Sequence, residues 1–180
     1  MKITLVLLLF LVVDQVAVEA QPSISFTFDD GATDDMPGYP FAVWNKMLLD
    51  NLDHGGARTI FFVIANNKTD ALGRSLLQSW GSRGHRISNH TYTHPNYGSK
   101  DITYDDFASE FHKADSLIRE YPGYLSMFRF PYLKEGETRE KVDALRRLLA
   151  ENNYRNGHEV LRYPAEDARY EEARMDALGL

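Results

Sequence analysis

Three short stretches of the chain concentrate side chains that can handle protons and cations. Asp29 and Asp30 stand side by side in SFTFDDG at 25–31, His90 and His94 are four apart in NHTYTH at 89–94, and Arg129 interrupts the apolar run FRFPY at 128–132. A carboxylate can take a proton or hold a cation, an imidazole can do either, and a guanidinium can fix a carboxylate in place. In a strand, neighbouring side chains point to opposite faces, so Ile24, Phe26 and Phe28 share one face while Ser25, Thr27 and Asp29 share the other. The two adjacent acids are therefore expected to do different jobs.

The histidine spacing carries a geometric condition. On an extended strand His90 and His94 would stand about 13 Å apart at about 3.3 Å per residue, too far for two zinc ligands at about 2.0 Å each. A helical turn would bring them within about 6 Å, but Pro95 disfavours helix through His94. The spacing thus predicts a tight turn at a strand end that aims both imidazoles at one point. Taken alone it is a weak signal, because two loop histidines facing solvent satisfy it more often. Arg129 either reaches solvent from a strand end or is buried and needs a carboxylate, and Asp29 is the natural partner.

The elements that must position these residues alternate strand with helix. After the turn-rich segment 31–40, residues 41–56 place Phe41, Trp44, Leu48 and Leu52 on one helical face and stop at Gly55 and Gly56. TIFFVIA, rich in β-branched and aromatic residues, reads as a buried strand. A helix over about 70–83 closed by Gly84, a short strand leading into NHTYTH, and a helix opened by Thr103 with Asp106 three residues on follow. The strand SMFRFPY and a helix over about 138–152 complete the series. Repetition of strand then helix implies an α/β fold of parallel units with sites at the strand ends. The 180-residue chain is shorter than the roughly 250 residues of a complete eight-unit barrel.

Composition sets the surroundings. Lys2 followed by an apolar run over 3–13 and by Val18-Glu19-Ala20 reads as a secretory signal peptide spanning 1–20, with the domain at 21–180. The run is shorter than the roughly 20 residues of a membrane span, so stable membrane insertion after cleavage is not expected. The formal charge of −6 becomes −5 once Lys2, Asp14 and Glu19 are removed, which argues against nucleic acid as a partner. With no cysteine, an exported chain relies on its core, and a metal must be held by His, Asp or Glu. His54, His85 and His112 read as surface residues at turn or helix positions. Tyr92 and Tyr97 read either as packing residues or as platforms for sugar rings.

TFDDG, HTYTH and RFPY, in this order and at these separations, resemble the first three motifs of the NodB-like polysaccharide deacetylases, carbohydrate esterase family 4. The resemblance runs from about Ser25 to about His158. It implies an incomplete, distorted (β/α) barrel and one divalent metal, zinc or else cobalt or nickel. It further implies Asp30, His90 and His94 as its ligands, Asp29 as catalytic base, Arg129 as the residue that orients this base, and Tyr132 as the source of a backbone N–H for the oxyanion. The implied activity is removal of N- or O-acetyl groups from a carbohydrate of chitin-oligomer, peptidoglycan or xylan type, in a secreted or periplasmic setting.

From about residue 159 the sequence departs from the family pattern. The expected Asp- and Trp-containing strand and the later Leu-x-His motif, whose histidine acts as general acid, are replaced by EVLRYPAEDARYEEARMDALGL, in which Pro164 reads as a helix start. The departure marks the chain as a truncated or divergent member with an open barrel edge. It keeps two further readings alongside the first: a non-catalytic descendant that binds a glycan or partner, and a hydrolase of a small C–N substrate. His158 is the remaining histidine near the divergence and a weak candidate for the acid.

Overall fold

The computed structural model describes residues 25–157. The leader at 1–20, the limits of the domain, His158 and the tail begun at 159 with its Pro164 helix lie outside the described residues. Strand β1 (Thr27–Asp30), helix α1 (Phe41–His54), β2 (Ile60–Val63), α2 (Ala71–Ser82), β3 (Arg86–Asn89), α3 (Tyr104–Ile118), β4 (Tyr124–Phe128), α4 (Arg139–Glu151) and β5 (Arg155–Asn156) follow one another, with 3₁₀ turns at Asn66–Lys68 and Pro131–Leu133.

The five strands form one parallel sheet in sequential order β1-β2-β3-β4-β5. An order that never doubles back is that of a barrel wall, whereas a doubly wound sheet reverses direction at a switch point. Because every strand runs the same way, all C-terminal ends share one rim. The register makes this concrete: Asp30 pairs with Val63, Val63 with Asn89, Asn89 with Phe128 and Phe128 with Asn156. That single row brings the ends of the three motif-bearing strands together.

Two apolar clusters support the rim. Phe41, Leu49, Phe61, Val63, Leu76, Leu77, Trp80 and Ile87 fill the space under α1 and α2, and Phe107, Phe111, Phe128, Phe130, Leu145 and Leu148 fill that under α3 and α4. Each such side chain contributes roughly 1.5–3 kcal/mol when removed from water. In α1 the deepest positions are Phe41, Asn45 and Leu49, whereas Trp44, Leu48 and Leu52 are half-buried. Asn45 is tolerated inside because its amide meets Ser79 Oγ at 3.1 Å and its carbonyl oxygen accepts from Trp80 Nε1 at 2.8 Å. The capping box expected of Thr103 and Asp106 forms at α3, and at α2 Asp70 is an N-cap that accepts from Gly73 N.

Two expectations need correction. His85 is fully buried rather than at the surface. Gly84, at φ +83°, turns the chain inward after α2, so the imidazole packs on Trp80 at 5.2 Å and shares a hydrogen bond with Thr59 Oγ1 at 3.1 Å. Arg129 lies one residue beyond β4 rather than within a strand, its N–H donating to Asn89 O at 3.1 Å. Tyr97 is fully buried in the second cluster, while Tyr92 is half-buried with Lys113 Nζ over its ring at 3.7 Å.

Candidate active site

The rim of the sheet gathers all six residues singled out from the motifs. Thr27 and Asp29 do share a face of β1, and both reach the same group: Arg129 Nη1 donates to Asp29 Oδ1 at 2.6 Å and to Thr27 Oγ1 at 2.9 Å. The guanidinium lies over the Phe62 ring at 4.1 Å, so an apolar wall and a carboxylate hold it together. Arg129 is largely buried and Asp29 is more open, which leaves its carboxylate accessible on one side.

Asp30 is aimed differently, and backbone conformation does it. Its φ is +67°, and Gly31 N–H donates back to Asp29 O at 2.8 Å, so Asp30, the last residue of β1, is also the corner of a three-residue turn. Gly31 follows at φ +85°, where an added Cβ would lie 2.5 Å from the Phe61 ring. From that corner Asp30 Oδ1 faces His90 Nε2 at 3.4 Å and His94 Nε2 at 3.5 Å, and the two Nε2 atoms are 3.2 Å apart.

The histidines meet in a strained turn. Thr91 and His94 have φ of +69° and +65°, a region unfavourable for side chains with a Cβ and most of all for a β-branched one. Side chains hold the turn: Asn89 Oδ1 accepts from Thr91 N at 2.8 Å, Thr91 Oγ1 from His94 N at 3.0 Å, and Glu110 of α3 from Thr93 N. Asn89 is itself fixed by donating to Phe111 O at 3.0 Å. His90 Nδ1, 2.7 Å from Arg129 O, is assigned as the donor of that bond, which leaves the Nε2 lone pair facing Asp30. Burial holds the His90 imidazole below its ordinary pKa, against the pull of the Arg129 carbonyl and of Asp29 and Asp30, so it favours the neutral form a ligand requires.

These atoms suit a metal ion. One carboxylate oxygen and two imidazole nitrogens lie within 4.8 Å of one another, and their mutual separations of 3.2 to 3.5 Å match the roughly 3.3 Å expected between tetrahedral ligands each about 2.0–2.1 Å from zinc. Three electron-rich atoms pointing at a common centre repel one another unless a cation or proton sits between them. Tyr132 closes the side of the site: its φ is +56°, its ring packs at 4.7 Å from that of His94, and its side chain is exposed.

Sequence reasoning missed the residues that hold this geometry. Asn89, Thr91 and Glu110 contribute no group to the cluster, yet they fix the turn that does. The left-handed positions are a signal in themselves: among the described residues, five of the six non-glycine residues with positive φ, Asp30, Thr91, His94, Tyr132 and Leu133, lie in the turns that build the site.

A family model for polysaccharide deacetylases matches residues 17–157, most of the chain, and the chain belongs to that family. It is 27% identical over 110 residues to a peptidoglycan N-acetylglucosamine deacetylase of Bacillus cereus, an alignment covering 61% of this chain and 36% of that protein. Among solved structures, a family 4 carbohydrate esterase from Streptomyces lividans matches 86% of this chain and 69% of its own at a TM-score of 0.57 and 22% identity. The chitin deacetylase of Colletotrichum lindemuthianum matches 73% and 53% at a TM-score of 0.56 and 23% identity. The fold is accordingly an incomplete, distorted (β/α) barrel of the NodB-homology type. The chain spans about a third of the length of the curated relative it matches.

Proposed function

We propose that this chain is a divalent-metal-dependent deacetylase that hydrolyses acetyl groups, N- or O-linked, on a carbohydrate of chitin-oligomer, peptidoglycan or xylan type. The observation that carries the reading is the pairing of an Arg129-anchored Asp29 with a ready-made ligand cluster one residue away. Asp30, His90 and His94 would hold the ion, zinc or else cobalt or nickel. Such an ion polarises an acyl carbonyl and acidifies water.

The chain's own residues supply the rest. Asp29 accepts a proton from the attacking water, and Arg129 keeps that carboxylate oriented. The Tyr132 backbone N–H donates to the oxygen that gains negative charge as the carbonyl carbon becomes tetrahedral. The proton taken by Asp29 is the one the leaving sugar nitrogen or oxygen needs, so transfer from Asp29 completes hydrolysis to acetate and the deacetylated sugar. The working domain is placed at 21–180, exported after loss of 1–20. Among the described residues no helix is long and apolar enough to cross a membrane.

Two measurements test this. Elemental analysis after gentle zinc loading is expected to find one ion per chain, and none above background in the double variant His90→Ala, His94→Ala. Acetate release by the loaded protein from chitin oligomers, peptidoglycan and acetylated xylan then identifies the substrate. Metal binding with no release from any of them would favour the non-catalytic reading, in which the same cluster serves glycan or partner binding.

A further inference from the structure

One lysine behind the site is not explained by the proposed chemistry. Lys68 is only 3% exposed, although lysine is among the residues least often fully buried. Its ammonium takes part in none of the ion pairs found among the described residues. It instead donates to two neutral oxygens, Gly31 O at 2.5 Å and Asn67 Oδ1. Burial brings its pKa down to about 8, against the attraction of Asp30, Asp70 and Asp34. Two glycines make room for it. A Cβ at Gly31 would stand 2.9 Å from Lys68 Cε, and one at Gly73 would stand 2.3 Å from Lys68 Cα.

The segment carrying this lysine touches both halves of the site. Ile64 N donates to Asp30 O at 3.1 Å, Ala65 N to Thr91 O at 3.1 Å and Asn66 N to Tyr92 O at 3.0 Å. Lys68 Nζ closes the series at Gly31 O. Three successive carbonyls, those of Asp29, Asp30 and Gly31, are thereby pinned by Gly31 N, Ile64 N and Lys68 Nζ. A left-handed corner at a residue with a Cβ persists only where its surroundings over-determine it. The last of these three bonds is the one a side chain supplies.

We propose that Lys68 is a positioning residue for the metal-binding turn: by holding the Gly31 carbonyl it fixes the corner at Asp30 and keeps the Asp30 carboxylate directed at His90 and His94. This rests on the reading of Asp30, His90 and His94 as metal ligands. The role differs from an electrostatic one. A nearby positive charge disfavours a bound cation, so removing it by itself tightens metal binding, whereas removing an anchor loosens it.

Zinc affinity of the full chain, measured by chelator competition, decides between these outcomes, with the cobalt(II) absorption spectrum and the melting temperature of the metal-free protein alongside. In Lys68→Met, which keeps the stem and removes the donor, affinity is expected to fall about 10- to 100-fold, as for residues that orient ligands. The cobalt bands should change, and metal-free melting should shift little. Lys68→Gln, which keeps an N–H donor without charge, should lose less, and it decides the matter if Lys68→Met does not fold. Affinity equal to or above the parent's in the folded variant, whatever happens to melting, overturns the positioning role alone. A parent protein that binds zinc no better than the double variant His90→Ala, His94→Ala overturns the ligand assignment and the role of Lys68 with it.

Discussion

At the scale of single residues, the adjacent acids are aimed apart by two different devices. Strand alternation sends Asp29 to the face of Thr27 and Arg129, while the left-handed turn, not alternation, sends Asp30 to the histidines. A base and a ligand enter different steps, so their amide variants should fail differently. Asp29→Asn is expected to keep zinc affinity and lose about 10²- to 10⁴-fold in deacetylation rate, the range of a general base. Asp30→Asn should weaken zinc binding first, with rate partly recovered at high zinc. Titration of both variants with zinc, beside their acetate release, checks the division. Equal loss of metal in the two would show that the carboxylates share one role.

At the scale of elements, α3 joins the second core to the turn that carries His90 and His94. Phe107 and Phe111 face inward, Glu110 holds Thr93, and the Phe111 carbonyl holds Asn89. Its start is fixed by the Thr103–Asp106 box, so Thr103→Ala should cost about 1 kcal/mol of stability, read as a lower urea midpoint with an unchanged slope. That helix was legible in the sequence because cap and apolar period agree. The strands were legible from β-branched and aromatic runs, and the Asp29–Arg129 pairing from the need of a guanidinium in apolar surroundings for a carboxylate. The turns were not. Thr91 at positive φ contradicts its propensity and is imposed by Asn89 and the following turn, which no local pattern announces. Glu110 and Lys68 were missed because each bonds a backbone atom distant in sequence, and such contacts leave no spacing to read. His85 was misplaced for a related reason: a polar residue after a helix reads as surface until Trp80 and Thr59 are brought around it.

At the scale of the molecule, the far end of the sheet is tied to α3 by a buried polar knot on α3, β4 and the segment entering β5. Asp115 Oδ1 accepts from Tyr124 Oη and Tyr154 Oη at 2.6 Å each, and Arg119 donates to Oδ2. Burial pushes the Asp115 carboxyl up, but the two hydroxyls and Arg119 together hold it below the ordinary aspartate range. The unfolded chain, in which Asp115 titrates near about 3.9, therefore binds its proton more readily than the folded one. The stability this bond network contributes is present above that pH and is lost as pH falls through the lower folded value. Tyr154 has the opposite sign: burial first, then Asp115 and Tyr124, raises its hydroxyl pKa. Its contribution is present below the ordinary tyrosine value of about 10 and is lost as pH rises through the raised folded value. Asp115 and Tyr154 thus make contributions that fade at opposite ends of the pH scale. Urea midpoints measured from pH 3 to 11 should show Asp115→Asn less stable than the parent at pH 7, with the two curves converging below about pH 4 as the parent's carboxylate is protonated. Tyr154→Phe should lose stability at pH 7 and show a shallower alkaline decline. Curves that stay parallel to the parent's across the whole range would mean that the knot stabilises through packing alone and that other groups set the pH limits of the barrel.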